Sequence, residues 1–525
     1  MSGIFRGKEK RIIAAGLLLI MGSVAGCGAS SAENKVEISE FTQQVTKSQV
    51  LDFDYEVPVQ IPWIYVDQIG YNIDSEKVAV ICGETLPEYY EIRRLDDDEV
   101  VYTGEVTRPV TDESTGKIYA AMRFSELKEE GNYYIYADTV GASYSFTIGE
   151  DVYRDAFDKA CKNYYINRCG IAISQIVAGD NGHSACHTAI AHLQDGGTEI
   201  DVTGGWHMDE RADKDSLMGS KIVENLVLAF EMNQSAFTDE VGIPESGNEI
   251  PDILDEAAYE AEWLLKMQDA KTGGVYGACV TQSADSSDIF SAPVRVTGIS
   301  MDATINFAAT MARFSFFYQQ YDSEFATTAL KAADRAWECF LNNHNYSDNS
   351  ACFKAAAELY RATGALKYSE VIERFFASDG FMDDFYSDEN IFMGSVTYLS
   401  TSQNVDKEQC DKLIKALMKR SEEIAKRAGN SRFFVASIPE NGDFSELLED
   451  MRCLTITNHI IYNHEYTTII ENHLHFLAGM NQTAMNYVTD STEMNYSDDA
   501  NVSGIINNPQ YDALLIFMMS VLEQA

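Results

Sequence analysis

Two textures of hydrophobic and polar positions divide the chain. Short runs rich in β-branched and aromatic residues occupy positions 59–66, 77–82, 89–93, 99–102, 120–124, 131–136 and 142–148, with turn residues between them. Short strands at such intervals predict a small β-sandwich. After Asp151 the apolar spacing lengthens to that of helices. Helices are expected over 153–173, 252–267, 301–318, 325–341, 352–363, 367–376, 407–428, 467–477 and 513–522. In the second of these, Ile253, Leu254, Ala257, Ala258, Ala261, Leu264 and Leu265 share one face, and Pro251-Asp252 makes a helix start. Roughly ten helices with little strand signal predict an all-α domain, which a closed ring of helix pairs would accommodate.

The first 60 residues differ from both textures. Arg6, Lys8, Lys10 and Arg11 precede an apolar run at 12–26 that is too short to span a membrane. The run closes on Ser23-Val24-Ala25-Gly26-Cys27, which resembles a bacterial lipobox. The expected organisation is a lipoprotein signal peptide at 1–27 with lipidation at Cys27, a flexible polar tether at 28–55, an immunoglobulin-like β-sandwich at 56–150 and the helical domain at 151–525. The protein would then sit on the extracellular face of a bacterial membrane, held only by its lipid anchor, as a monomer. The net charge of −43, from 39 basic and 82 acidic residues, excludes nucleic acid as a partner and favours a neutral ligand.

Candidate chemistry gathers at residues 201–215. Gly204-Gly205 permits a tight turn, Trp206 and His207 follow, and Asp209, Glu210, Asp213 and Asp215 supply carboxylates. An exposed indole beside acids suits a sugar, whose apolar face packs on the ring while carboxylates accept hydroxyl protons; a polar turn before a helix reads the same way. Cys169, Cys186, His187 and His207 supply two thiols and two imidazoles, the complement of a closed structural zinc site brought together from separate loops. Buried cysteines and hydrogen-bonded histidines are the alternative. The loop from Asp285 to Asp288 could hold calcium, but its spacing matches no ordered ligand pattern and a solvated loop is favoured. Glu471 and His473 read as internal hydrogen-bond partners. The ten cysteines are scattered and form no disulfide framework.

Several segments, in order, resemble glycoside hydrolase family 9. They are Arg168-Cys169-Gly170, His183-Ser184-Ala185-Cys186-His187, Gly204-Gly205-Trp206-His207, Asn248-Glu249-Ile250-Pro251-Asp252-Ile253-Leu254-Asp255-Glu256, Ala356-Ala357-Glu358-Leu359-Tyr360-Arg361 and His473-Leu474-His475-Phe476-Leu477-Ala478-Gly479-Met480-Asn481. Val66-Asp67-Gln68-Ile69-Gly70-Tyr71 is similar to the opening of the immunoglobulin-like module that precedes many members. The resemblance implies an (α/α)6 barrel, inverting hydrolysis of a β-linked polysaccharide or oligosaccharide, structural zinc on the four Cys and His positions, and substrate contacts from Trp206 and His475.

The resemblance breaks at the catalytic motifs. In the family the Trp is followed, after one residue, by Asp-Ala-Gly-Asp. Ungapped, Met208 and Arg211 take the two Asp places, and Lys214 falls where the family has Lys. Neither Met nor Arg can act as a base. A one-residue shift would bring Asp209 to the first place, with Asp213 as substitute base. Near the C-terminus Ile506 takes the place of the family Glu, and Asp498 and Asp499 are the nearest carboxylates. Inverting hydrolysis needs two carboxyl groups roughly 6.5–9.5 Å apart. The readings are therefore a cellulase-like glycosidase with displaced acids (Asp209, Glu210 or Asp213 as base, Asp498 or Asp499 as acid), a glycan-binding lipoprotein without catalysis, and a structural surface lipoprotein.

Overall fold

Nine strands come first: β1 (Ile64–Tyr65), β2 (Tyr71–Asn72), β3 (Val78–Gly83), β4 (Tyr89–Arg94), β5 (Val100–Thr111), β6 (Ile118–Arg123), β7 (Gly131–Ala137), β8 (Gly141–Ala142) and β9 (Phe146–Gly149). They pair in the order β1-β3-β6-β5-β4-β7-β9-β2, with β8 on β7. The long strand β5 serves both sheets. Its first half pairs with β4 and its second with β6, and the register shifts between Thr107 and Val110 where the chain bends across. This is an immunoglobulin-like sandwich. The computed structural model describes residues 61–179, 182–194, 196–209, 211–282, 290–343, 349–440, 442–488 and 509–522.

Strand β3 is buried throughout because its two faces have different partners. Ala79 and Ile81 point into the sandwich core with Ile92, Met122 and Ile135. Val78, Val80 and Cys82 point the other way and join the core of the helical domain, as do Tyr65 and Tyr119. Phe433 receives the edges of Tyr65, Tyr119 and Phe476 there.

Twelve long helices follow among the described residues: α1 (Arg154–Ile166), α2 (Ser216–Met232), α3 (Asp252–Lys266), α4 (Met301–Tyr318), α5 (Ser323–Leu341), α6 (Ser350–Thr363), α7 (Leu366–Phe376), α8 (Glu389–Ser400), α9 (Lys407–Asn430), α10 (Ser445–Ile460), α11 (His464–Leu477) and α12 (Pro509–Leu522). The even-numbered helices pack on one another as an inner ring, α2 on α4, α4 on α6, α6 on α8, and α10 on α12, which returns to α2. The odd-numbered helices lie outside. Sequence periodicity misses α2, α8 and α10. All three belong to the inner ring and bury nearly every side, so no polar face marks their turn. Each inner helix starts at the same end of the barrel, its mouth, and four starts are capped from the preceding loop by Asp215, Ser300, Asn349 and Asp388.

Nine cysteines lie among the described residues, and most of them are buried.

Candidate active site and metal centre

The loop before α2 is held at both ends. Lys214 is buried and donates to the carbonyls of Val202 and Gly204. Gly205 has φ +74, and a Cβ there would lie 2.7 Å from the Trp263 ring. This turn sends Trp206 inward. Its indole is fully buried, 4.7 Å from the Tyr164 ring. Its backbone N–H donates to Glu260 at 2.8 Å and its Nε1 to Glu256 at 3.2 Å. Trp206 is therefore a core anchor, and the expectation that it floors a sugar cleft is corrected. The two α3 carboxylates that bind it lie in the core, where a bare indole N–H would be costly.

The expectation for His475 is corrected on similar grounds. It is buried, with Nδ1 2.8 Å from Asp67 Oδ2 and 3.0 Å from the Tyr153 hydroxyl, and its ring lies 4.7 Å from that of Tyr71. It joins α11 to the β-sandwich. His473 is internal, as read from the sequence: its Nδ1 faces the Ile469 carbonyl at 2.7 Å and its Nε2 accepts from Ala436 N–H at 2.9 Å.

Beyond Trp206 the loop closes on itself. Asp209 Oδ1 accepts from the N–H groups of Arg211 and Asp213 at 2.9 and 3.0 Å. Met208 N–H donates to the Asp213 carbonyl at 2.8 Å. Asp213 Oδ1 accepts from Thr281 N–H at 2.7 Å, and the Arg211 guanidinium donates to the Thr281 carbonyl at 3.2 Å. Asp209 is exposed and Asp213 half-buried. Each thus commits one carboxylate oxygen to shaping the loop. Glu210, Asp498, Asp499, Ile506, the loop 285–288 and Cys27 lie outside the described residues.

Behind this loop four side chains converge as the sequence suggested. Cys169, Cys186, His187 and His207 are all buried, and one donor atom of each lies within 4.8 Å of the others. The two sulfurs are 3.8 Å apart; Cys169 Sγ is 3.4 Å from His187 Nδ1 and Cys186 Sγ 3.4 Å from His207 Nε2. A tetrahedron with metal–sulfur bonds of about 2.3 Å has sulfur–sulfur edges of about 3.8 Å. The donor set therefore fits a closed tetrahedral ion. The two thiols share one proton: hydrogen bonding from Cys186 holds the Cys169 thiol well below its usual range while the Cys186 thiol is pushed up, and burial keeps His207 neutral. Cys169 N–H donates to the Gly205 carbonyl at 2.7 Å, which joins the centre to the Trp206 turn. A second acidic group, Asp239, Asp252 and Asp255, is accounted for by the loop it closes. It accepts from the N–H groups of Gly247, Glu249 and Val241 and from Ser246 and Asn248.

The mouth of the barrel holds residues that sequence reasoning missed. Lys354 donates to Glu224 at 2.7 Å and to Asn306 at 2.9 Å. Arg452 donates to Asn225 at 2.9 Å and to Glu389 at 3.0 Å, and Lys221 reaches Glu389 at 3.3 Å. Their signal was available: Lys354 interrupts an alanine-rich apolar helix, and Glu224-Asn225 interrupts another.

The family model described as Glycosyl hydrolase family 9 matches residues 153–500, and the one described as Cellulase N-terminal ig-like domain matches residues 60–142. The chain belongs to glycosyl hydrolase family 9. Similar proteins include Endoglucanase D of Acetivibrio thermocellus, 26% identical over 92% of this chain and 76% of that protein. A Cellodextrinase of Butyrivibrio fibrisolvens is 27% identical over 82% of this chain and 85% of its own length. A xyloglucan-specific endo-beta-1,4-glucanase of Bacteroides ovatus is 25% identical over 81% and 80%. Among solved structures, a metagenome-derived family 9 endoglucanase superposes with a TM-score of 0.77 at 24% identity, covering 87% of this chain and 98% of that one. A zinc-binding triple mutant of the family 9 endoglucanase J30 superposes at 0.74 with 22% identity, covering 86% and 100%. These likenesses confirm the (α/α)6 barrel.

Proposed function

We propose that this family 9 protein acts on a β-1,4-linked glucan at the barrel mouth, as an inverting hydrolase with displaced carboxylates, tethered by lipidated Cys27 to the outer face of a bacterial membrane. The observation that carries the reading is the match of both domains, in order, to relatives named as endoglucanases and a cellodextrinase. Asp213 is the best-placed base among the described candidates, since its half-buried carboxylate borders the mouth loop and has only one oxygen tied to Thr281. Asp498 or Asp499 would protonate the leaving oxygen.

A second reading, in which glucan is held but not cut, is supported by Met208 and Arg211 at the family Asp places and by Asp209 closing its own turn. Zinc on Cys169, Cys186, His187 and His207 fits either reading. Those residues would hold the ion with no position left for water, so its contribution would be to fix the Trp206 loop.

The deciding experiment is reducing-end release by the purified chain across β-glucans, cello-oligosaccharides and xyloglucan, with binding measured in parallel by calorimetry. Release abolished by Asp213→Asn supports hydrolysis with that base. Binding without release supports the second reading. Absence of both on every glucan sinks both.

A further inference from the structure

The barrel interior contains two polar layers. The deeper one is a closed square: Arg313 pairs with Glu231 and Glu358, both at 2.7 Å, and Arg361 pairs with the same two at 2.9 and 2.5 Å. Both arginines and Glu358 are buried, and every charge has two opposite neighbours. That satisfies what burial of charge demands, with Arg361 Nε the one atom of the square left without a partner.

The layer at the mouth is built differently. Lys221, Glu224, Asn306, Lys354, Glu389 and Arg452 come from five of the six inner helices, all within the first ten residues of their helix. Lys221 and Glu389 keep 33% and 35% of their side chains open to solvent. Beneath them the buried atoms Glu224 Oε1 and Arg452 Nε have no protein partner. Burial acts to raise the Glu389 carboxyl, but Arg452, Lys221 and Lys354 together hold it down at about 2. Glu389 is thus ionised under all ordinary conditions. It cannot donate a proton as a general acid, but it is a fixed, strong hydrogen-bond acceptor. An ammonium donor 3.3 Å away completes a donor–acceptor pair matched to two neighbouring hydroxyls of a sugar ring.

We propose that Lys221 and Glu389 form a sugar-hydroxyl subsite at the floor of the barrel mouth. This rests on the glucan reading above and names residues by which the glucan is held, whether or not it is then cut.

The test is calorimetric titration of the purified full-length chain with cellohexaose and a xyloglucan heptasaccharide. Lys221→Met and Glu389→Gln should each weaken binding about tenfold or more, the loss of a charge-assisted hydrogen bond. Lys412→Met, on the exposed face of α9, should bind as the parent does. Lys221 is only half-buried with a single ion pair, so its variant should melt within a few degrees of the parent, and that melt shows whether weakened binding is a folding effect. Equal binding by the parent and a folded Lys221→Met overturns the subsite and leaves the glucan reading standing. A parent that binds neither oligosaccharide overturns the subsite together with that reading.

Discussion

Asp67 Oδ2 and His475 Nδ1 meet at 2.8 Å, although 408 residues separate them. Asp67 comes from the opening of the β-sandwich and His475 from the last turn of α11, and the Tyr153 hydroxyl donates to the same carboxylate oxygen. Asp67 Oδ1 meanwhile accepts from the N–H groups of Ile69 and Gly70. The next residue, Gln68, donates its N–H to the Ala478 carbonyl at 2.9 Å and its side-chain amide to the Ala484 carbonyl at 2.7 Å. Two of the segments that resemble the family are therefore a lock between its two domains. Asp67→Ala should cost about 3 kcal/mol, because it strands two buried partners. Scanning calorimetry should then show the sandwich melting apart from the barrel; a single transition at the parent's temperature would refute the lock.

The buried indole predicts a stability effect. Trp206→Ala should destabilise by about 3–5 kcal/mol in guanidinium denaturation, as other large-to-small core changes do. Trp206→Phe should lose less, since it keeps most of the ring volume and removes only one of two donors to Glu256 Oε2, the other being Arg168 Nε. A stable, soluble Trp206→Ala chain would contradict the assignment.

Metal content is directly measurable. Elemental analysis should find about one zinc per chain in the parent and none in Cys186→Ser. A strong chelator should lower the melting temperature of the parent and leave that of the variant unchanged. A metal-free parent purified without chelator would reduce the four residues to a hydrogen-bonded core cluster.

Burial pushes Glu256 up to about 7 and Glu260 up to about 8, well above the roughly 4.3 of an unfolded glutamate. The folded chain therefore holds protons that the unfolded chain releases. Their contribution to stability is complete below about pH 4 and declines as pH rises to about 8. Glu260→Gln keeps an acceptor for the Trp206 N–H while removing the titration. Its denaturation midpoint should fall less steeply than the parent's between about pH 5 and 8, and parallel curves would reject the account.

Sequence reading succeeded where a local signal exists. The Asp252 helix start, the amphipathic outer helices and the paired Cys and His residues were all legible, because a face, a cap or a donor set is written in adjacent letters. It failed where the deciding partner is remote. Trp206 looks like an exposed plate until Glu256 and Glu260, 50 and 54 residues on, are seen to receive it. His475 looks like a substrate contact until Asp67 is found beside it. The inner helices α2, α8 and α10 leave no periodic trace because burial on all sides erases contrast. The mouth layer was overlooked since Lys221, Glu389 and Arg452 belong to three separate helices.

The start of α2 depends on Asp215, whose side chain accepts from Met218 N–H at 2.8 Å. That residue lies past Met208, Asp209 and Arg211, which bond to Asp213, to one another and to Thr281. Helix nucleation and the places of Met208 and Arg211 are thus different positions of one loop. A lineage can exchange the carboxylates of such a loop for Met and Arg and still inherit an intact barrel, so loss or relocation of chemistry leaves no scar in the architecture.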